Sequence, residues 1–167
     1  MTSVPNPRSN LAPRMDFAAF EKALPAAVAS LRTLGKAVEA AGLGKELTEL
    51  LKVRVSQING CAYCLKLHLD WARQANVNSV KLDLVAVWRE ASCFDARERA
   101  ALSWAESLTR IAEWHVDDRL FEQTSAHFPP TELAALTTAI ATINAWNRIA
   151  GALRFTPAGV PSAENGS

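Results

Sequence analysis

Apolar residues recur at helical spacing along most of this chain, and no segment shows the alternation of a half-buried strand. One clear stripe consists of Leu47, Leu50, Leu51, Val55 and Ile58, and it stops before the helix-ending pair Asn59-Gly60. A stripe of this kind covers one side of a helix, which must then pack against other helices. The pattern therefore predicts an all-α fold of seven or eight helices.

Prolines, glycines and capping residues divide the remaining stripes into elements. Phe17, Phe20 and Leu24 begin the first stripe, which continues after Pro25 through Val28, Leu31, Leu34 and Val38 to Gly42 and Gly44. We expect further helices at about 61–76, 80–91 and 118–126. Asp95 and Glu98 predict a capping box before Ala101, Trp104, Ala105, Leu108 and Ile111. Thr131 is the expected N-cap of a long final helix carrying Leu133, Leu136, Ile140, Ile143 and Ala150.

The length of 167 residues suits one domain. Residues 1–14 are rich in Pro, Asn and Ser, and residues 156–167 have a similar character. We expect both to be flexible segments that flank a single helical domain over residues 15–155.

Charge and hydropathy narrow the class of partner and compartment. Eighteen basic residues nearly balance seventeen acidic ones, so the formal charge of +1 gives no support for a nucleic-acid partner. No stretch approaches the roughly 20 apolar residues of a membrane span, and the first fourteen residues lack the apolar part of a secretory signal. Three cysteines are too few for a disulfide-stapled secreted fold, so we expect a reducing compartment, the cytoplasm.

The segment most informative about chemistry runs from Glu49 to His68 and contains Cys61 and Cys64. At 100 degrees per residue, Cys61, Cys64 and His68 fall within about 60 degrees on one helix face. Cys61 follows Asn59-Gly60 and so lies at a helix start, where free N–H groups and the dipole stabilise a thiolate. Glu49 belongs to the preceding helix, and its carboxylate can approach the pair if the chain folds back at Asn59-Gly60.

These residue types suit the reduction of a peroxide. A thiolate attacks the peroxide and becomes a sulfenic acid, and a second thiol condenses with it to a disulfide. An external dithiol restores the pair by exchange, while an imidazole and a carboxylate handle protons. The residues alone leave the order open, because Cys61 is nearer the helix start whereas Cys64 lies one turn from His68.

Three other interpretations compete for the same residues. Two helical cysteines can simply be small core residues. Cys61, Cys64, His68 and Glu49 are also conceivable zinc ligands, although zinc sites usually bring a second Cys or His pair from elsewhere. A thioredoxin-like domain would need a strand before the cysteine pair, where this chain has a helical stripe.

The order Glu, eleven residues, Cys-x-x-Cys, three residues, His resembles the alkylhydroperoxidase D-like branch of the carboxymuconolactone decarboxylase superfamily. The resemblance extends to FDARERAALSWAESLTR at 94–110 and INAWNRIAGALR at 143–154. It implies an all-α bundle that forms homo-oligomers, often trimers or hexamers, and a peroxidase that uses no haem, flavin or metal.

By this resemblance Cys64 is the peroxidatic cysteine, Cys61 the resolving cysteine, and Glu49 and His68 the proton relay. The partners implied are a peroxide and a dithiol reductant, such as a lipoyl-bearing protein. Tyr63 departs from the best-known members, which have a histidine between the cysteines. A non-catalytic oligomeric redox-sensing or binding protein of the same fold is the alternative, and a decarboxylase or lactone-acting role a weaker third.

Other residues have simpler explanations. Cys93 is expected to be structural, and Asn144 and Asn147 to make hydrogen bonds from an otherwise apolar face of the last helix. His115 and His127 lie near helix ends and are expected to be solvated or capping. Of the tryptophans at 71, 88, 104, 114 and 146, only Trp71 continues the face of the cysteine pair; the others are expected in the core or at interfaces.

Overall fold

A computed structural model describes residues 12–113 and 115–160, and within these ranges the protein is built from eight α-helices with no β-strand. The prediction of an all-α fold is confirmed. The helices are α1 (Phe17–Ala23), α2 (Pro25–Ala40), α3 (Lys45–Ile58), α4 (Ala62–Gln74), α5 (Ser79–Leu84), α6 (Ala96–Thr109), α7 (Asp118–Ser125) and α8 (Pro130–Leu153). A single 3₁₀ turn, Val85–Val87, follows α5.

Most boundaries follow from local signals in the sequence. Pro25 occupies the first turn of α2, where its missing N–H costs nothing. Asp95 accepts the N–H of Glu98, whose side chain accepts the N–H of Asp95 in return, so the predicted capping box is confirmed. Asp16 and Asp117 cap α1 and α7 in the same way, through their side-chain oxygens.

The helix expected at 80–91 is shorter than predicted. It ends at Leu84, and the 3₁₀ turn and an irregular segment lead from there to α6. The guanidinium of Arg99 donates to the carbonyls of Arg89, Ala91 and Phe94. These carbonyls take a side-chain partner in place of helical N–H groups. A contact from α6 thus overrides the local helical pattern.

Two smaller predictions were also wrong. Thr131 is not the N-cap of the last helix: Pro130 is its first residue and Pro129 its N-cap, since the fixed φ of proline suits a first helical position. Ile111 lies beyond the end of α6 and is exposed, because that helix stops at Thr109.

The helices pack around α3 and α8. The α3–α4 pair forms a tight hairpin, and α8 contacts α2, α3, α4, α6 and α7. Largely apolar side chains fill the core, with Leu50, Leu51, Leu136 and Ile140 almost fully buried. This arrangement encloses the first turn of α4, where the cysteine pair lies, between α3 and α8.

The expected flexible ends, 1–14 and 156–167, lie mostly outside the described residues, because residues 1–11 and 161–167 are not among them. Trp114 also lies outside the described residues. Within the described part, the backbone N–H of Arg14 donates to the carbonyl of Leu153 at 3.0 Å, and its side chain donates to the carbonyl of Ala152. The start of the helical domain is therefore bonded to the end of α8. No helix in the described ranges has the length and apolar character needed to cross a membrane.

Candidate functional site

Two local motifs meet at Cys61. Gly60 has a φ of +63°, and the N–H groups of Gly60 and Cys61 donate to the carbonyls of Gln57 and Ser56, which forms a Schellman motif at the end of α3. Cys61 is also the N-cap of α4, and its sulfur accepts the backbone N–H of Cys64 at 3.4 Å. The turn thus fixes both cysteines in one helical turn, and both are buried.

The two thiols have opposite tendencies to ionise. The side chain of Cys64 donates a hydrogen bond to the Cys61 sulfur, and this bond, opposed by burial but aided by the N–H groups of Cys64 and Tyr63, lowers the pKa of Cys61 to about 7. The same bond, together with burial, raises the pKa of Cys64. The reduced pair can therefore lose one proton near neutral pH, and the resulting charge resides mainly on Cys61.

Glu49 and His68 form a buried hydrogen-bonded pair beside the cysteines. Nδ1 of His68 lies 2.7 Å from Oε2 of Glu49, with side-chain exposures of only 8% and 2%. His68 is one helical turn beyond Cys64, at a spacing that puts the two side chains on the same face. The group that Glu49 contacts directly is His68, and its approach to the cysteine pair itself stays a prediction.

The environment sets the protonation of this pair. Burial lowers the pKa of His68 below its usual range, although the Glu49 carboxylate opposes the shift. Burial alone would raise the pKa of Glu49, but the bonds from His68 and Lys52 together lower it. At neutral pH a neutral imidazole therefore donates its Nδ1–H to an ionised carboxylate, which leaves Nε2 as a proton acceptor.

Aromatic side chains flank the site on two sides. Trp71 packs edge-on against His68, with ring centroids 5.2 Å apart, and is 41% exposed, so it continues the face of the cysteine pair and His68 as expected. Tyr63 contacts Phe155 edge-on at 5.3 Å and stacks near Phe17 of α1 at 6.3 Å. We call Phe17, Phe20, Tyr63, Trp146 and Phe155 the aromatic cluster; it packs against the first turn of α4.

Amide side chains connect the turn before Cys61 to α8. Nδ2 of Asn59 donates to Oδ1 of Asn144 at 2.9 Å and to Oδ1 of Asn147 at 2.8 Å. Asn147 also donates to the hydroxyl of Ser56 and acts on Cys64, whose pKa it lowers in part. The expected cross-helix role of Asn144 and Asn147 is confirmed, and Asn147 additionally borders the site.

Sequence reasoning missed two charged groups around α3. Nζ of Lys52 lies 2.8 Å from Oε1 of Glu49, and the only sequence signal was their spacing of three residues. Glu106 of α6 is buried and accepts hydrogen bonds from Arg54, Arg89 and the indole of Trp88. No local pattern pointed to Glu106, because its partners come from α3 and from the segment after the 3₁₀ turn, both distant from it in sequence.

The remaining candidates lie away from this site. Cys93 is half-buried in the irregular segment before α6 and packs against the core, while His115 and His127 are exposed. Among the described residues, no three Cys, His, Asp or Glu side chains are grouped to hold a metal ion. Glu49, one of the conceivable zinc ligands, has both carboxylate oxygens bonded to His68 and Lys52.

The geometry combines an ionisable thiol, a second thiol in contact with it and a buried proton acceptor. Such a group of side chains can carry out thiolate attack, disulfide formation and the proton transfers that both require.

Comparison with known proteins identifies relatives over most of the chain. The model of the carboxymuconolactone decarboxylase family matches residues 23–107, which include Glu49, both cysteines and His68. Uncharacterized protein YdfG of Bacillus subtilis (strain 168) is 32% identical over 118 residues, covering 71% of this chain and 80% of that protein.

Solved structures share the fold. A protein of unknown function from Agrobacterium tumefaciens, proposed to be the antioxidant defence protein AhpD, has a TM-score of 0.81 and 36% identity, covering 87% of this chain and 98% of that one. The debrominase Bmp8 in complex with 2,3,4-tribromopyrrole has a TM-score of 0.74 at 22% identity, covering 84% and 75% of the two chains. The second likeness concerns the fold alone.

Proposed function

Since this chain belongs to the carboxymuconolactone decarboxylase family, in its alkylhydroperoxidase D-like branch, we propose that it is a thiol-dependent peroxidase. The observation that carries this proposal is the placement of two buried thiols within one helical turn, beside the hydrogen-bonded Glu49–His68 pair. Cys61 ionises near neutral pH because Cys64 donates to it, so the reduced pair holds a thiolate ready beside a second thiol. The Agrobacterium relative, proposed to act in antioxidant defence, supports the same role.

The first half of the reaction oxidises the pair. Cys64 transfers its proton to the Cys61 sulfur, and the Cys64 thiolate attacks one peroxide oxygen. The S–O bond forms as the O–O bond breaks, and the departing alkoxide or hydroxide takes the proton that the Cys61 sulfur has received, passed on through His68. The Cys61 thiolate then attacks the sulfenic sulfur of Cys64 and forms the disulfide, and the displaced hydroxide takes a proton from solvent and leaves as water.

His68 and Glu49 serve the proton transfers. Nε2 of the neutral imidazole accepts the proton that Cys61 must lose before it resolves the sulfenic acid. The Glu49 carboxylate holds the ring through Nδ1 and stabilises the imidazolium that forms. A dithiol reductant, which we expect to be a lipoyl-bearing protein or similar donor in the cytoplasm, returns two electrons by exchange.

The roles of the two cysteines rest on different arguments. Charge alone favours Cys61 as the attacking sulfur, because it ionises more easily than Cys64. The family resemblance assigns the attack to Cys64, and the hydrogen bond between the thiols gives Cys64 a base within contact. We therefore assign attack to Cys64 and resolution to Cys61.

Single substitutions test the assignment. We expect Cys61→Ser to react once with peroxide and to accumulate a sulfenic acid at Cys64 that dimedone traps, without turnover. Cys64→Ser should leave peroxide essentially untouched, and Cys93→Ser should behave as wild type. A dimedone adduct on Cys61 in the Cys64→Ser variant would invert the roles, and equal peroxide consumption by all three variants and wild type would refute the peroxidase.

A redox sensor of the same fold is the second candidate, and the burial of both thiols favours it because a sensor needs only one oxidation per event. Turnover separates the two. Continuous peroxide consumption with a dithiol donor supports the peroxidase, whereas a single stoichiometric oxidation that no dithiol reverses catalytically supports the sensor.

A further inference from the structure

The proposed mechanism leaves unused one charged side chain of the site, that of Lys52. Its Nζ lies 2.8 Å from Oε1 of Glu49, while the other carboxylate oxygen lies 2.7 Å from Nδ1 of His68. The Lys52 side chain is 23% exposed and its partner only 2%. The carboxylate thus bridges a partly exposed ammonium and a buried imidazole.

We propose that Lys52 is a positioning residue that keeps Glu49 ionised and His68 neutral, so that Nε2 of His68 can accept a proton near neutral pH. The inference rests on the proposed function, since it concerns His68, the base of that reaction. Lys52 contacts Glu49 and acts on His68 through that carboxylate.

The argument follows from the charge of the buried group. With Lys52 protonated, Glu49 ionised and His68 neutral, the three side chains sum to zero, and one more proton gives the group a net positive charge. Without the ammonium, the carboxylate and neutral imidazole sum to minus one, and the same proton neutralises them. Removal of the lysine charge therefore favours protonation of the imidazole.

The directions of the pKa shifts agree with this argument. Burial is the largest cause of the lowered pKa of His68, and the charge of Lys52 lowers it further against the pull of Glu49. Burial works to raise the pKa of Glu49, but the bond from His68 and the charge of Lys52 bring it below its usual value.

The charged groups on neighbouring elements are paired with one another. On α4, Lys66 pairs with Asp70, which lies next but one to His68. On α3, Arg54 faces α6 and pairs with Glu106.

The remaining neighbours are α8 and the 3₁₀ turn. From α8 the site receives the uncharged amides of Asn144 and Asn147, and Arg148 of that helix is bonded to the first of them. The 3₁₀ turn Val85–Val87 carries no charge. Among the described residues, Lys52 is therefore the cation that acts on the Glu49–His68 pair.

The test follows the ring nitrogens of His68 by ¹⁵N NMR across a pH titration of the full-length protein. We expect Lys52→Met to move the midpoint of the His68 titration to higher pH by roughly one unit, the lower end of what a neighbouring charge produces. Lys52→Gln, which keeps a polar group without the charge, should shift it similarly, and Lys52→Arg should restore the wild-type midpoint.

Lys81→Met is the matched control, because Lys81 pairs with Glu98 of α6 and has a side-chain exposure of 24%. Loss of that lysine–glutamate pair should leave the His68 titration unchanged. An unchanged midpoint in folded Lys52→Met and Lys52→Gln would overturn the inference, as would an equal shift in Lys81→Met.

The acid limb of peroxide consumption provides the second readout. If the wild type turns over, the limb should move to higher pH in Lys52→Met, with activity at pH 6 lowered several-fold and recovered in Lys52→Arg. The NMR titration needs no turnover, so the two proposals fail separately. An inactive wild type with a shifted His68 refutes the peroxidase alone, and an active wild type without the shift refutes the role of Lys52 alone.

Discussion

The protonation state of His68 links the chemistry of the site to the stability of the fold. The ring is buried, and its Nδ1–H is committed to Glu49. Burial makes the charged ring costly, so the folded protein holds this proton less tightly than the unfolded chain does. The same burial that leaves the imidazole neutral, as the proposed reaction requires, therefore makes the resting protein sensitive to acid.

We expect the free energy of unfolding to fall as the pH drops below about 6.5, the ordinary pKa of histidine. In this window the unfolded chain binds a proton that folded His68 does not, so acid favours unfolding. Glu49 adds a second loss below its ordinary value of 4.5, because its pKa is lowered in the folded state. The urea concentration at the midpoint of unfolding, measured between pH 7.5 and 5, checks the loss of stability that we attribute to His68.

In the variant His68→Gln, the free energy of unfolding should no longer fall between pH 7.5 and 5. The variant should be less stable than wild type at neutral pH, because Glu49 loses a partner. His127→Gln, at an exposed position, should keep the wild-type pH dependence. An unchanged slope in His68→Gln would mean that another group causes the acid sensitivity.

For individual residues, the sequence predicts which side chains share a helix face better than it predicts which side chains touch across helices. The positions of Cys64 and His68 on one face followed from helix geometry, because both lie on α4, and Cys61 is the N-cap of that helix. The contact of Glu49 required only that the chain fold back at Asn59-Gly60. The bonds from Asn59 to Asn144 and Asn147 span 85 and 88 residues, and helical periodicity contains no information about them.

Among the elements, the α3–α4 turn determines the geometry of the site. The backbone N–H of Cys61 completes the Schellman motif that ends α3, and its side chain caps α4. The end of one helix and the start of the next therefore depend on the same residue. A change at this turn therefore alters the cysteine pair as well as helix packing. The segment after α5 shows the converse, since Arg99 of a later helix determines its course in a way that local pattern could not predict.

We expect Gly60→Ala to destabilise the protein by about 1 kcal/mol, the cost of placing a side chain in the left-handed region. Gly60 has φ +63° and no atom within 4 Å of an added Cβ, so the cost is that of the backbone alone. Relaxation of the turn should also raise the pH at which Cys61 ionises. Thermal unfolding and iodoacetamide reaction rates across pH measure the two effects.

Gly35→Ala is the matched comparison, because Gly35 lies inside α2 without a positive φ and an added Cβ there also meets open space. That substitution should stabilise the protein, by up to about 1 kcal/mol, since alanine is the better helix former. Equal effects of the two substitutions would contradict the role given to the turn.

Over the whole molecule, large apolar side chains remain at the surface of the described residues. Trp71 lies beside the site, and Val80, Leu84 and Val87 follow one another along α5 and the 3₁₀ turn. Monomeric proteins seldom expose apolar residues in groups of this kind. These positions are consistent with the homo-oligomer, a trimer or hexamer, that the family resemblance implies.

We expect light scattering at micromolar concentration to give a mass that is a multiple of 18.1 kDa, with three or six subunits. Val87→Asp, which places a charge in this group, should shift the protein toward the monomer, because an unpaired charge is costly in an interface. A wild-type protein that remains an 18.1 kDa species over the whole concentration range would refute the assembly.

The burial of both sulfurs has a kinetic consequence that depends on the size of the reagent. Cys61 and Cys64 lie under the surface, with the aromatic cluster packed against their helical turn. Hydrogen peroxide is a small molecule and needs little room, whereas a dithiol must bring a sulfur into line with the disulfide. In the proposed peroxidase, oxidation of the pair therefore requires less opening of the molecule than its reduction does. The rate of the proposed cycle would then be limited by a motion of the protein, and abundant small thiols that cannot induce that motion would leave the disulfide intact.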